Sequence, residues 1–482
     1  MKKTLNILFA IVCAIALVTG VQAQAETIKT RIGDLSFTHD FANGYPTDAT
    51  VKKLFDEMDF QRAVQAYIWS IPIVSMAQWQ YAHNQQLGAK NGQIMFVESY
   101  DDKVGGLTYN ATTPYVIPFI DLADGPWVIV MPEGEVRGAA HDMWQIGITK
   151  MTEPGKYLFV GPGQDVPDSA KNEGYRIFQS PTMTVMLGIR LMSPDKDVRM
   201  GILKKITIYP YAERKDPKPR GYITPNGKPW LAAHPRGMEY WERLADVLNR
   251  EPVAERDRFF MAMLKELGIE KGKPFRPTER QKEILTDATL VGEAMAKAND
   301  FAKRMEDAHY VDGSHWDFAT VAYPDQREEY YDQLDERAAW LYEAVTNDPA
   351  MHGQRTGEGQ IYMAAYKDKD GDWLDGGVNY ALHVPPDAPA EAFWSITLYD
   401  VDTRCLIINK QKIADRSSRM DLIKNTDGSV DIFMGPDAPK GKEKNWIPTV
   451  AGKAWFPYFR LYSPKKAFLD RTWVLPDIEK SE

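Results

Sequence analysis

The 482-residue sequence is long enough for two or three domains, and its apolar content of 44% can supply a large buried core. Its 67 acidic residues outnumber 58 basic ones, which gives a net charge of −9. Because phosphate backbones require basic neutralisation, this balance argues against nucleic acid as a partner.

The first 25 residues have the pattern of a secretory signal peptide. Lys2 and Lys3 precede an apolar run over residues 5–18, and small residues follow up to Ala25. The run is shorter than the ~20 residues that span a bilayer. We therefore predict cleavage after Ala25, a bacterial periplasmic or secreted location, and no stable membrane insertion. Cleavage removes two lysines and no acid, shifts the net charge to −11, and leaves Cys405 without a disulfide partner.

A helix is predicted at the start of the mature chain. Apolar residues recur there at helical spacing on one face, namely Val51, Leu54, Phe55 and Met58. We expect this helix to end near Pro72, because proline lacks the backbone donor that a helix interior needs.

From residue 93 to residue 211 the pattern changes to short runs rich in β-branched and aromatic residues, separated by Gly, Pro, Asn or Asp. Such runs are typical of an antiparallel β-sandwich. The predicted strands are Ile94–Val97, Tyr115–Ile120, Trp127–Met131, Tyr157–Val160, Thr182–Leu191 and Ile206–Tyr211.

The middle of the chain is predicted to be helical. A stretch rich in proline and glycine, residues 215–229, separates it from the strands, and residues 230–345 follow with helical periodicity. An apolar stripe ends at Gly268, which is expected to cap a helix. Thr278 and Gln281 have the spacing of a capping box.

Strand patterns return after residue 357. The predicted strands are Asn379–Val384, Ala392–Leu398, Arg404–Asn409 and Val430–Met434, with a hairpin turn over residues 425–429. Alternation along the first of these strands places His383 on the face opposite to Leu382.

The most metal-like segment is the acidic run Asp368–Asp375. Carboxylates at alternate positions can converge on Ca²⁺, but the glycine lies too early in the run and no closing glutamate follows. A turn between two strands explains the same residues. We therefore predict a turn there, and neither a metal nor another cofactor in the chain.

Nine motifs spread over both β regions carry a family resemblance: Tyr67–Pro72, Asn110–Tyr115, Asp121–Pro126, Asp142–Trp144, Gly376–His383, Ala392–Asp400, Asp427–Ser429, Asn445–Trp446 and Arg460–Pro464. Together they resemble a family in which a domain of unknown function numbered 1254 precedes one numbered 1214. The resemblance implies two β domains, the second like a jelly roll, with a helical segment between or beside them. The sequence departs from the family pattern at Thr112, where an acid is expected, and at Pro114, where leucine is expected.

The predicted fold is mainly β with a helical middle segment, an N-terminal β-sandwich and a C-terminal jelly-roll-like β-sandwich. The predicted organisation is a signal peptide (residues 1–25), a helix plus β-sandwich (26–214), a linker and helical segment (215–350) and a C-terminal domain (351–482).

No motif of a known catalytic chemistry is present. His383, and His141 beside Asp142, are the histidines most suited to acid–base chemistry, with Asp142 and Asp400 as candidate carboxylates. Aromatic, amide and cationic residues of these motifs are candidates for ligand binding: Trp69, Asn110, Trp144, Trp394, Tyr399, Asn445, Trp446 and Arg460. Since Trp and Tyr also fill cores, this prediction applies to those that line a groove.

Three functions follow as hypotheses. The first is an exported protein that binds a small organic or saccharide ligand in an aromatic-lined pocket. The second is a periplasmic hydrolase or lyase-type enzyme that uses Asp142 or Asp400 with His383. The third is a structural module of a homo-oligomer. A pocket lined jointly by Asp142, His383 and Trp394 would favour the first two.

Overall fold

The computed structural model describes residues 25–352 and 356–481, so the predicted signal peptide, apart from Ala25, lies outside the described residues. The chain divides into two compact units, residues 1–59 and 60–482. The described part of the first unit contains the antiparallel hairpin of β1 (Glu26–Thr30) and β2 (Gly33–Phe37). Helix α1 (Asp48–Tyr81) begins in the first unit and continues into the second.

Helix α1 contains Pro72 in its interior, so the prediction that it ends there is wrong. The proline removes one backbone hydrogen bond at a cost of about 3 kcal/mol. Carbonyls beside it accept hydrogen bonds from buried side chains: Arg337 donates to the Trp69 carbonyl at 2.8 Å, and Gln145 donates to the Pro72 carbonyl at 2.8 Å. These donors, together with burial of Ile71, offset the loss.

The N-terminal β region of the second unit contains eleven strands and three short helices. Its strands are β3 (Ile94–Val97), β4 (Tyr115–Ile117), β5 (Phe119–Asp121), β6 (Trp127–Met131), β7 (Val136–His141), β8 (Gly147–Lys150), β9 (Gly155–Val160), β10 (Arg176–Gln179), β11 (Thr184–Leu191), β12 (Thr207–Pro210) and β13 (Tyr222–Ile223). Its helices are α2 (Tyr100–Lys103), α3 (Asp168–Asn172) and α4 (Lys196–Leu203). Each predicted strand of this region is present, whereas β7, β8, β10 and β13 were not predicted.

These strands form two packed sheets. The larger sheet has the order β13-β3-β4-β11-β7-β8, with β5 also paired to β11, and the smaller has the order β10-β9-β6-β12. Most pairs are antiparallel, but β9 with β10 and β3 with β13 are parallel. Val116, Leu187 and Ile189 of the larger sheet pack with Ile129 and Phe159 of the smaller one. Because side chains alternate along a strand, the other face of the larger sheet is turned away from this core.

The middle of the chain supplies four longer helices: α5 (Met238–Arg250), α6 (Arg258–Glu266), α7 (Glu279–Phe301) and α8 (Leu334–Glu343). The predicted capping box is confirmed, since the Thr278 hydroxyl accepts from the Gln281 backbone and the Gln281 side chain accepts from the Thr278 backbone. Gly268 follows α6 with a φ of +83°, as expected for a capping glycine. Strand β14 (Trp316–Phe318) interrupts the predicted helical segment and joins the C-terminal sheet.

The C-terminal region forms two further sheets. Its strands are β15 (Gln360–Ala365), β16 (Tyr380–Val384), β17 (Ala390–Asp400), β18 (Asp415–Ser417), β19 (Val430–Gly435), β20 (Trp446–Pro448), β21 (Trp455–Pro464) and β22 (Glu479–Lys480), and the short helix α9 (Lys466–Leu469) follows β21. The sheet orders are β14-β15-β21-β17-β18 and β20-β19-β16-β22. The predicted fold class, mainly β with a helical middle, is therefore confirmed.

The predicted strand over residues 404–409 is wrong. Cys405 and Leu406 make only isolated bridges, and Arg404 has a φ of +56° that is incompatible with a regular strand. The Asp400 carboxylate causes the departure, because it accepts hydrogen bonds from the backbones of Asp402 and Thr403 and closes a turn.

Cys405, a free cysteine, is buried in the core. Across residues 25–352 and 356–481, the structure has no helix that combines the length and the apolar character needed to cross a membrane.

A buried polar cluster joins α7 and α8 to the C-terminal sheet. Lys303 donates to Asp300 at 2.9 Å, and the Tyr366 hydroxyl donates to Asp300 and Glu343, each at 3.1 Å. The Tyr458 hydroxyl also donates to Glu343. Burial raises the pKa of Glu343 and the negative charge of Asp300 raises it further, although Lys303 acts in the opposite direction.

The raised pKa of Glu343 predicts a pH-dependent stability. The folded protein binds the proton of the Glu343 carboxyl group more tightly than the unfolded chain does. The stabilisation from this proton is therefore complete below the ordinary pKa of 4.5 and is lost as the pH rises through the folded pKa. Glu343→Gln keeps an acceptor and removes the titration. The wild type and this variant differ in their free energy of unfolding. As the pH rises, the wild type should lose stability relative to the variant by at most about 1.4 kcal/mol per pH unit.

Urea unfolding between pH 5 and 9 measures this difference. A matched control is Glu266→Gln on the exposed surface of α6, for which no comparable slope is expected. Parallel curves for the wild type and Glu343→Gln would contradict the raised pKa.

Candidate functional site

A cavity of about 180 Å³ lies between the larger N-terminal sheet and the five-stranded C-terminal sheet. Strands β4, β7, β8 and β11 supply one part of its lining, and β15 and β21 supply another. Residues 344–351, which follow α8, and residues 107–110 complete it. One wall of the cavity is therefore the face of the larger sheet that does not pack against the smaller N-terminal sheet.

Strand register determines the N-terminal wall. Three rows of paired residues from β11 and β7 face the cavity: Arg190 with Arg137, Gly188 with Ala139, and Met186 with His141. The middle row has almost no side-chain bulk. A Cβ added at Gly188 would meet its nearest neighbour, the Met186 methyl group, at 3.9 Å, which is ordinary van der Waals distance. The small residues of the middle row thus leave the space that forms the cavity floor.

Four cationic side chains line the cavity: Arg137, Lys150, Arg190 and Arg460. Within the part of the chain that the structure describes, none of them forms an ion pair with a carboxylate. Arg190 instead lies over the ring of Tyr115, with its guanidinium carbon 4.0 Å from the ring centroid. Its Nε and Nη2 atoms are buried and have no hydrogen-bond partner among the described residues.

Arg460 lies on β21 and is the cation of the C-terminal wall. Its side chain is 2% exposed, and its Nη2 donates to the Thr108 carbonyl at 2.8 Å. The guanidinium carbon lies 4.9 Å from the ring centroid of Tyr458 and 5.3 Å from that of Tyr362. Within residues 25–352 and 356–481, the Nη1 atom has no hydrogen-bond partner. An unpaired buried donor costs about 1 to 3 kcal/mol, so both arginines favour an additional acceptor.

Among the described residues of the cavity lining, the acidic one is Asp348. Its carboxylate contacts His141 Nε2 at 3.1 Å and accepts a hydrogen bond from the Ala350 backbone at 2.7 Å. Burial raises the pKa of Asp348, but the hydrogen bond and the charge of His141 lower it more, and the net pKa lies below the ordinary value. Asp348 is thus engaged with His141 rather than with the four cations, and the lining is positive in an acidic chain.

Aromatic and amide side chains provide the rest of the C-terminal wall. On β15 and β21, Gln360 is paired with Tyr462 and Tyr362 with Arg460, and these four residues share one face. Trp79, Trp340 and Asn110 also line the cavity. The wall combines flat apolar surfaces with a few hydrogen-bonding groups, as ligand sites do.

Two of the eight predicted ligand-binding residues, Asn110 and Arg460, line this cavity. Three of the others have roles in packing. Trp69 donates its ring N–H to Asp257 at 3.0 Å, Trp144 packs against Trp69 with ring centroids 5.1 Å apart, and Trp394 stacks on the ring of Phe459. All three tryptophans fill the core, and Trp69 also satisfies its polar edge there.

The remaining three predicted binding residues form hydrogen bonds with the backbone. The Tyr399 hydroxyl donates to the Tyr109 carbonyl at 2.9 Å, and the Trp446 ring N–H donates to the Gly435 carbonyl at 2.9 Å. The Asn445 amide donates to two backbone carbonyls, each at 2.8 Å. Tyr399 therefore contacts the backbone of Tyr109, a residue of the cavity lining.

The three candidate catalytic residues lie apart from the cavity lining. His383 is half-exposed and contacts Asp431 on the neighbouring strand at 2.7 Å. Asp142 accepts hydrogen bonds from the backbones of residues 144 and 146, and burial raises its pKa to about 7. Asp400 closes the turn described above and contacts Lys453 at 3.1 Å. The structure does not bring Asp142, His383 and Trp394 into one pocket.

Sequence reasoning missed most of the cavity residues. His141 was noted only together with Asp142, and Asp348 and Arg190 were not considered. One signal was present in the predicted strand Thr182–Leu191, where Met186, Gly188 and Arg190 alternate with the apolar residues that face the core.

The acidic run at residues 368–375 forms the predicted turn, with Asp368 accepting from the backbones of Asp370 and Asp372. Lys480 lies among these three carboxylates, 2.6 Å from Asp372 and 3.2 Å from Asp368. Among the described residues, no group of three His, Cys, Asp or Glu side chains is arranged to hold a metal ion.

Two family models match the chain. The model for proteins of unknown function DUF1254 covers residues 93–210, and that for proteins of unknown function DUF1214 covers residues 359–466. The chain carries a DUF1254 domain followed by a DUF1214 domain. The cavity lies between them, since β4, β7, β8 and β11 belong to the DUF1254 domain and β15 and β21 to the DUF1214 domain.

The DUF1254–DUF1214 chain is also similar to two solved structures. It shares 19% identity with the VPA0106 protein from Vibrio parahaemolyticus, over 88% of this chain and 100% of that one, with a TM-score of 0.55. A putative uncharacterized protein from Burkholderia cenocepacia shares 11% identity over 90% of this chain and 98% of that one, with a TM-score of 0.39. No curated protein shows significant similarity to the chain. The likeness to VPA0106 supports the fold alone.

The open space above Gly188 predicts tolerance of a larger residue. Gly188→Ala should change the free energy of unfolding by less than about 1 kcal/mol, because the added methyl group meets no close neighbour. Gly292→Ala in α7 is the matched control, since its Cβ would lie 2.6 Å from the Tyr67 ring. That change should destabilise the protein by about 1 to 3 kcal/mol. Urea unfolding compares the two, and an equal loss of stability would show that the cavity floor is not open.

Proposed function

We propose that this protein binds a small organic anion in the cavity between its DUF1254 and DUF1214 domains. The observation that carries the proposal is the set of four lining cations that lack carboxylate partners in the described chain. Guanidinium groups bind carboxylates through two parallel hydrogen bonds, and among the described residues the Nε and Nη2 atoms of Arg190 have no hydrogen-bond partner.

The arrangement of the wall suggests how the ligand would lie. Its acid group would occupy the row of Arg190 and Arg137, and Lys150, which is paired with Ala139 on the neighbouring strand β8, would contribute charge from the side. Its apolar part would lie over Gly188 and Ala139. Tyr362 and Tyr462 would then cover the apolar part from the other sheet.

This proposal narrows the ligand class that the sequence suggested. Trp79, Trp340 and the amides of Asn110 and Gln360 would also suit a sugar ring. A neutral sugar, however, would bring no negative charge to the buried guanidinium groups of Arg190 and Arg460, whereas an acid would. We therefore favour a carboxylate-bearing organic compound over a neutral saccharide.

The other sequence-based hypotheses remain predictions. An export signal would place this binding site in the periplasm or outside the cell. A periplasmic acid–base enzyme would have to use a pair other than the predicted ones, and His141 with Asp348 is the His–Asp pair in the cavity. The role as a structural module of a homo-oligomer also stays a prediction.

The proposal predicts that Arg190 is required for binding. With phenylpropanoate as the probe, Arg190→Gln should raise the Kd at least tenfold, because a hydrogen bond to a charged group contributes about 1.5 to 3 kcal/mol. Isothermal titration calorimetry at low salt measures the change. The uncharged analogue phenylpropanamide should bind the wild type much more weakly than the acid.

Arg176→Gln is a matched control, because Arg176 pairs with Glu153 on the surface and does not line the cavity. It should leave the Kd unchanged. Equal binding of acid and amide, or equal loss of binding in both variants, would contradict the proposal.

A further inference from the structure

Gly188 lies in a strand position where glycine is unfavourable. It is in the middle of β11, which is paired with β7 on one side and with β4 and β5 on the other. Glycine loses more backbone freedom on folding than any other residue and provides no side chain to pack, so it weakens a strand relative to alanine. A glycine at this position therefore needs a specific reason.

Three common reasons for a glycine in a strand do not apply to Gly188. Its backbone does not adopt the left-handed conformation that favours glycine. Its strand pairs with β7 from Met186 to Leu191 without a register shift, so no β-bulge is present there. The position of the missing side chain is also not occupied by described protein atoms, because the nearest neighbour of an added Cβ is the Met186 side chain at 3.9 Å.

The position of the missing side chain is on the cavity face of β11. The adjacent residues Leu187 and Ile189 pack in the core between the two N-terminal sheets, so strand alternation turns residue 188 to the opposite face. Gly188 is part of the cavity lining on that face. A glycine in a strand interior can also mark a place where a ligand approaches the backbone closely, and this reason remains.

We infer that Gly188 is a specificity-determining residue and that the ligand is an aromatic acid whose ring lies flat on the backbone at this glycine. A strand backbone without a side chain offers a flat surface that a planar ring can contact over its whole area, whereas a branched aliphatic group would contact it only in part. This inference rests on the proposed anion binding and adds to it the chemical class of the ligand.

The surroundings of Gly188 suit such a ligand. Residues two apart on a strand are separated by about 7 Å, so a ring at Gly188 leaves its acid group one row away, near Arg190. Six of the described lining residues are tryptophan or tyrosine, whose rings favour contact with another aromatic ring. Valine or leucine at position 188 would occupy the space that the ring needs.

Two acids with different apolar parts test the inference: phenylpropanoate, which carries a ring, and hexanoate, which carries a flexible chain. By isothermal titration calorimetry at low salt, the wild type should bind phenylpropanoate about fivefold more tightly, as expected for aromatic contacts. Gly188→Val should raise the Kd of phenylpropanoate roughly tenfold, because the added methyl groups overlap the ring. The Kd of hexanoate should change by less than about threefold, since its chain can bend past them.

Gly201→Val is the matched control, because Gly201 lies in α4, outside the cavity lining, and an added Cβ there meets no described atom within 4 Å. It should leave both Kd values unchanged. Gly188→Ala is a second variant with a smaller added group, and it should weaken phenylpropanoate by about threefold. If Gly188→Val fails to fold, Gly188→Ala decides.

Arg190-dependent binding of both acids with equal affinity would overturn this inference and leave anion binding intact. An unchanged Kd for phenylpropanoate in the Gly188 variants, or an equal loss for the two acids, would overturn it as well. Absence of binding by either acid would overturn anion binding itself.

Discussion

Positive charge that has no carboxylate partner among the described residues and lies between two facing sheets is the constraint on which the site depends. Arg190 and Arg460 are stabilised by tyrosine rings, and Arg460 also donates to the Thr108 carbonyl. Gly188 and Ala139 leave the neighbouring space unfilled. A cavity that contains both unpaired donors and open volume is suited to an anion that supplies the missing acceptors.

Buried hydrogen bonds that stabilise the fold also hold the segment that leads from α8 to the cavity lining. Glu343 ends α8 and is held by Tyr366 and Tyr458 of the C-terminal sheet, and the chain then passes directly into the cavity lining. Further along, the Thr346 backbone donates to Gln145 at 2.6 Å, and Gln145 also supports the carbonyl of Pro72 in α1. The stretch that leads from α8 to Asp348 is thus fixed at Glu343 and again at Thr346 by buried hydrogen bonds.

The sequence predicted the strands that carry apolar β-branched residues, such as Ile94–Val97 and Trp127–Met131, because those residues both favour strands and fill the core. It did not predict β7. The central residues of this strand are arginine, glycine and two alanines, which have weak strand preference, and their small size is what opens the cavity. Pro72 was misjudged for a related reason, since only the folded chain shows the donors that compensate for it.

The candidate site was harder to predict than the fold. The abundance of aromatic residues led to the prediction that Trp69, Trp394 and Trp446 bind a ligand. In the structure the ring N–H groups of Trp69 and Trp446 are hydrogen-bonded in the core, and the ring of Trp394 is stacked there. The cavity residues come from strands as distant in the chain as β4 and β21, and their convergence depends on register that no local pattern specifies. Arg460 and Asn110 were identified because they lie in family motifs, whereas Arg190 required the pairing of β11 with β7.

The most direct test of anion binding is a crystal structure of the protein soaked with para-iodobenzoate, in which the iodine is located by its anomalous scattering. We predict an iodine site above the Gly188 and Ala139 row, with carboxylate density in contact with the Arg190 guanidinium. Iodine sites found only outside the cavity, or a carboxylate directed away from all four cations, would contradict the account.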